Sequence, residues 1–255
     1  MSINMEKMKE RLTTLKNNGK TGIQTRFWRP ADGESTIRII PTEDGDPFKD
    51  YWFHYNLGDN PGFLSPKKNF GDDCPLDSFV RNLWKEGTEE SKRMAKKLGA
   101  RQRFFAPVLV RGEENQGVRV WGFGKQVYET LLNLVLNPEY GDVTDPEAGI
   151  DLVITYGKPA GASFPVTTIT PRRRSSQLCP DGPEKCREVL EDIPDFEELF
   201  APSRKTYDEV QTMLDEFLLG DVDSEEVSSE TTKYNDSGSE KSNSVDKAFA
   251  DLLGS

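Results

Sequence analysis

Arginines and aromatic rings alternate through Gln102–Lys125, QRFFAPVLVRGEENQGVRVWGFGK. Two apolar runs flank the polar, glycine-bounded segment GEENQG, the pattern of a β-hairpin with a six-residue connection. Successive side chains on a strand point to opposite faces, so parity sorts each run. In the second run Arg119, Trp121, Phe123 and Lys125 oppose Val118, Val120, Gly122 and Gly124. In the first, Arg101, Arg103, Phe105, Leu109 and Arg111 oppose Phe104, Ala106, Val108 and Val110. The expectation is one plain core face and one face of rings interleaved with cations. Such a face suits an unstacked nucleic acid, whose bases stack on rings while its phosphates meet cations. A half-exposed sheet with solvated cations would show the same alternation.

A second basic cluster follows Phe164–Thr170 (FPVTTIT), which reads as a strand running into Pro171, Arg172, Arg173, Arg174 and Ser175. Three adjacent guanidiniums repel one another unless an anion sits among them, which points to phosphate contact. His54 is the only histidine, and it precedes Cys74 and Asp77. A structural zinc site takes about four nitrogen or sulfur ligands. His54 and Cys74 do not reach that count, and Asp77 stands where a Cys-x-x-Cys half-site would place its second thiolate. No metal or other cofactor is expected; a buried cysteine and a hydrogen-bonded strand histidine are. With one histidine, no phosphate-binding loop and no Gly-x-Ser-x-Gly, the chain does not read as an enzyme.

The elements that must hold these residues are short strands with appended helices. Ile37 and Ile39 share a strand face, and Tyr51, Phe53 and Tyr55 share another. Pro75 opens a helix with Leu76, Phe79, Val80, Leu83 and Trp84 on one stripe, and Glu89–Leu98 resumes as a helix. Gln126–Leu136 is helical, Ile150–Tyr156 is a strand, and Glu184–Leu190, Asp195–Phe200 and Tyr207–Leu219 are helices. The fold class is α+β, mainly β, around a barrel core. Residues 1–20 form a basic amphipathic arm, 21–219 the core with a segment inserted at about 54–99, and 220–255 an acidic tail.

Charge follows that division. From Asp208 onward there are thirteen acidic and three basic residues, a net of 3 − 13 = −10, whereas residues 1–190 hold 28 basic and 26 acidic, a net of +2. A near-neutral body with local basic clusters is compatible with a nucleic-acid partner despite the overall charge of −11. The Ser- and Glu-rich tail should be disordered. Phe249, Leu252 and Leu253 near its tip have the helical spacing of a partner-docking peptide. Three cysteines make no disulfide framework, no apolar leader or membrane span is visible, and a reducing cytoplasm is the expected compartment.

In the order and spacing of its parts the chain resembles the single-stranded DNA-binding, helix-destabilising proteins of T-even-like phages. STIRIIP, the aromatic strand with His54, GDDCPLDSF, ARQRFFAPVLV, VRVWGFGKQVYETL and DVTDPEAGIDLVITYGKPAGASFPV carry the likeness. The resemblance implies an OB-type five-stranded barrel with an embedded zinc-bearing subdomain and an N-terminal arm for cooperative self-association on DNA. It also implies an acidic tail that contacts replication and recombination proteins, in the cytoplasm of an infected bacterium. By position, Trp121 falls on a ring of the DNA cleft, Arg101 and Arg103 in the basic segment before it, and Phe164 near later aromatic contacts. The family's zinc takes one His and three Cys. His54 and Cys74 match, while Ser65 or a neighbour and Asp77 replace thiolates, so the zinc reads as lost. The implied role is coating single strands in replication, recombination and repair. An RNA-binding OB protein acting on messages is the alternative, and a nuclease the alternative from another class.

Overall fold

Strand β5 (Arg101–Val110) organises the sheet, because its residues pair with three other strands. The computed structural model describes residues 26–225, with side chains described as far as residue 219. One edge of β5 meets β6 (Arg119–Phe123) through the expected hairpin, whose connection holds a single 3-10 turn at Glu114–Gln116. Along the other edge β2 (Gly33–Ile39) and β3 (Lys49–His54) lie end to end: Ile39 faces Val108 and Lys49 faces Phe105. The chain between them loops out beside Pro107, whose carbonyl accepts from Ile40 N at 3.0 Å. A proline has no N–H to give, so a strand edge can break there without leaving a donor of β5 unpaired.

The remaining strands are β1 (Phe27–Trp28), parallel to β6, β4 (Phe63–Leu64) beside β3, β7 (Ile150–Gly157) beside β2, and β8 (Val166–Ser175) beside β7. The main path is β1-β6-β5-β2-β7-β8. No described pairing joins β8 to β1, so this mixed sheet of eight strands stays open where an OB-type five-stranded barrel was expected. β1 is only two residues long, and Pro30 follows it, so no ladder extends towards β8.

Both faces of the hairpin are buried. Cross-strand partners share a face, and the register pairs Phe104 with Phe123 and Ala106 with Trp121. The rings of β6 therefore lie with the apolar set of β5, under α4 (Lys125–Val135) and against Trp28, Phe48 and Leu131. The opposite face carries Phe53, Phe105 and Val120 beneath α6 (Phe196–Phe200), with Phe200 4.7 Å from Phe105 between ring centroids. The expected division into a core face and a ring-and-cation face is corrected: parity taken run by run does not say which faces coincide.

A helical unit sits beyond β3 and β4. Ser65 caps α1 (Pro66–Phe70) by accepting from Lys68 N at 3.1 Å, and Pro75 opens α2 (Pro75–Glu86). Gly87 ends α2 at φ 75°, and Thr88 caps α3 (Glu89–Leu98) by accepting from Ser91 N. Leu76, Val80, Ala95 and Leu98 then pack on Leu57 and Phe63, and Val210 and Leu214 of α7 (Tyr207–Glu225) close the cluster. Helix α5 (Pro183–Glu191) covers a smaller cluster of Ile40, Leu109 and Leu178. Helix α7 runs past the tail boundary expected after residue 219. Residues 1–20, the expected arm, and Phe249, Leu252 and Leu253 lie outside the described residues. Among the described residues no helix is long and apolar enough to cross a membrane.

Candidate nucleic-acid interface

The open seam of the sheet is a cleft of about 270 Å³. Phe27, Trp28 and Arg29 wall it on the β1 side, Arg103 and Trp121–Gly124 form its floor, and Tyr156, Pro165 and Thr167 stand on the β7–β8 side. Strand pairing fixes this arrangement: Trp28 lies beside Trp121, and Tyr156 lies opposite Thr167. The cleft combines rings with the cations Arg29 and Arg103, and none of its lining side chains is acidic. A larger recess of about 550 Å³ at the start of α7 is different, because Asp72 and Asp73 line it beside Arg204 and Lys205. Two carboxylates disfavour a polyanion there.

The expected contact residues divide into three groups. Trp121 is 1% exposed, edge-on to Trp28 at 5.8 Å, and Phe105 and Phe123 are buried too, so none of the three offers a ring face to a base. Arg111 and Arg119 are spent on structure. Arg111 binds both oxygens of Asp151 and the carbonyls of Gln177 and Leu178; Arg119 pairs with Glu113 at 2.7 Å and Gln116 at 3.0 Å. Arg101 is half-buried, and burial lowers its pKa. The third group is accessible. Arg103 lines the cleft, Lys125 is exposed at the start of α4 beside Glu129, and Phe164 is half-buried in the β7–β8 connection. Arg172, Arg173 and Arg174 are all exposed.

That last exposure has a local cause. Leu152 pairs with Pro171 but Ile150 pairs with Ser175, so the three arginines bulge opposite the single residue Asp151. Asp151 turns inward, where its Oδ1 takes Arg38 Nε at 3.0 Å and Arg111 Nη2 at 3.0 Å. Arg38 is fully buried and also donates to the carbonyls of Asp145, Gly149 and Ser176. Gly149 must be glycine here, since a Cβ would sit 2.4 Å from the Asp145 carbonyl and 2.9 Å from Arg38 Nη1. Buried, paired arginines hold the strand ends together, and the bulged ones face outward, with Arg172 donating to Thr36 Oγ1 at 3.2 Å.

Residues 31–218 match the model of the family described as gp32 DNA binding protein like. The chain belongs to this family. No curated protein matches it. The matched span contains the cleft floor, its β7–β8 wall and the arginine bulge, while Phe27, Trp28 and Arg29 lie just before it. Parity and motif reasoning passed over those three and Tyr156 as site residues. The triplet Phe27-Trp28-Arg29 carries a readable signal, a ring pair joined to a cation, but only the parallel pairing of β1 with β6 brings it to the cleft.

His54, Cys74 and Asp77 come together in the gp32-like chain, their ligand-type atoms all within 4.8 Å of one another. His54 is fully buried; Nδ1 lies 3.0 Å from the Leu98 carbonyl and Nε2 lies 3.2 Å from Asp77 Oδ2. Ser65 Oγ donates to the same Asp77 oxygen at 2.8 Å. Burial alone would lower the His54 pKa, but hydrogen bonds to Asp77 and Cys74 and the Asp77 charge push it up to about 9. The Asp77 carboxyl, raised by burial, is brought below its ordinary value by His54 and Ser65. The set is charge-balanced as an imidazolium and a carboxylate.

Proposed function

We propose that the protein binds single-stranded DNA without regard to sequence, along the cleft between β1–β6 and β7–β8 and across the arginine bulge of β8. The observation that carries this reading is the acid-free cleft of rings and arginines within a chain of the gp32-like family. Bases reach such a recess only when unstacked, which favours single strands over duplex. Selective binding of one form then shifts duplex melting by mass action. We read the sheet as an OB-type barrel left open at the cleft. The same proposal assigns the protein to phage replication, recombination and repair in the infected bacterium. The arm would serve cooperative assembly on DNA, and Phe249, Leu252 and Leu253 would serve protein partners.

The test is a fluorescence titration of the full chain with a homopolymeric DNA single strand, the matched RNA and a duplex, at several salt concentrations. Tighter binding to single-stranded DNA than to either competitor is expected. Changing both Arg29 and Arg103 to Ala should flatten the slope of log K against log salt by about 1.4, two phosphate contacts at about 0.7 each. Equal affinity for duplex would overturn the proposal, and a clear preference for RNA would favour the message-binding alternative.

A further inference from the structure

We infer that His54, Ser65, Cys74 and Asp77 form a metal-free brace, which fastens α2 to β3 and to the start of α1 where the resemblance implied zinc. The four side chains satisfy one another rather than a cation. His54 uses both ring nitrogens, one on the Leu98 carbonyl and one on Asp77. Ser65 commits its only O–H to Asp77 and accepts the capping bond from Lys68 N, so a metal at this hydroxyl would cost both the cap and the Asp77 contact. None of His54, Ser65 and Asp77 carries a buried side-chain nitrogen or oxygen left without a partner.

The donor chemistry agrees with the geometry. Structural zinc takes four nitrogen or sulfur ligands, and this cluster supplies one imidazole and one thiol. The other cysteines, Cys179 and Cys186, pack against a separate cluster with Leu178 and Val189. Asp77 lies in the first turn of α2, where the helix dipole already favours a carboxylate. The core that a metal would otherwise stand in for is apolar: Val210 and Leu214 of α7 are buried against Leu76 and Leu98.

The full chain, purified without chelator, should carry zinc well below one per molecule. Its Tm should be the same with chelator and with added zinc. Stoichiometric zinc whose removal lowers the Tm overturns the inference, and this measurement decides the metal question whether or not any variant folds. Asp77→Ala leaves His54 buried without its counter-charge and should lower the Tm by about 6–20 °C; a drop under about 2 °C would show that the pair braces nothing. Ser65→Cys combined with Asp77→Cys completes a His-Cys₃ set. This variant should take up one cobalt(II) per chain with thiolate charge-transfer absorption and acquire a chelator-sensitive Tm. A folded double variant that takes up no metal would show that these positions are not a replaced metal site, and would also overturn the inference.

Discussion

Trp121 illustrates how burial redistributes roles among residues of one type. Its ring packs on Trp28 and lies 4.6 Å from Phe123, inside the cluster under α4. Trp121→Ala should therefore cost about 3–5 kcal/mol of stability, as for other large aromatics removed from a core. Tyr156, half-buried on the opposite wall, should behave in the reverse way. Tyr156→Ala should weaken single-strand binding by about 1–3 kcal/mol with little change in Tm. Denaturation and titration of both variants check this, and a Trp121→Ala protein of full stability but weak binding would return the stacking role to Trp121. The His54–Asp77 pair predicts a pH effect. The folded pKa of about 9 lies above the ordinary 6.5, so the folded state holds the proton more tightly. The groups facing His54 are Asp77, Cys74 and the Leu98 carbonyl, with the Phe63 ring alongside. Its contribution is complete below about pH 6.5 and is lost as the pH rises through about 9. Tm should fall across that window, and Asp77→Asn should flatten the fall; a wild-type Tm level from pH 6.5 to 9 would refute the prediction.

At the scale of elements, what was legible was local. Pro75, Thr88 and Asp195 mark starts of expected helices by chemistry confined to a few residues, and each helix begins there, whereas α1 behind the Ser65 cap was not expected. The GEENQG hairpin forms for the same reason. What was not legible depends on register between distant segments. Nothing near Ile39 or Lys49 announces that β2 and β3 share one edge of β5, and nothing near Phe27 announces its parallel pairing with Val120. The arginine triplet was legible as a cluster but not as a bulge, since the extra residues are defined only against Asp151 of β7. The bulge makes its own prediction. Three guanidiniums released from the ladder and facing solvent should each meet a phosphate. Changing Arg172, Arg173 and Arg174 together to Ala should reduce the salt slope by about 2, three contacts at about 0.7 each, and leave the Tm near wild type. An unchanged slope would make the bulge ordinary solvated surface.

For the whole molecule the decisive feature is how net charge is distributed along the chain. Helix α7 belongs to the body, because Val210 and Leu214 are buried in the helical unit and Met213 and Phe217 pack beside them. The stretch from Asp221 onward holds nine acidic and three basic residues, a net of 3 − 9 = −6. We propose that these acids, tethered to the body, compete for the cleft arginines at high effective concentration, through a field screened within about 8 Å at ~0.15 M salt. Removing Asp221–Ser255 should therefore raise single-strand affinity most at low salt, chiefly through faster association, while the Tm stays close to that of the full chain. Truncation before Tyr207 should do something different in kind: it strips the apolar cover from Leu76 and Leu98, and the helical unit should lose cooperative unfolding. Docking, in contrast, should follow the apolar tip, so Phe249→Ala with Leu252→Ala should cost partner binding and leave DNA affinity alone. Calorimetry and salt-dependent binding of the two truncations separate the claims. Equal affinity at low salt with and without Asp221–Ser255 would remove competition by the acids, and an unchanged Tm after loss of Tyr207 onward would remove α7 from the core.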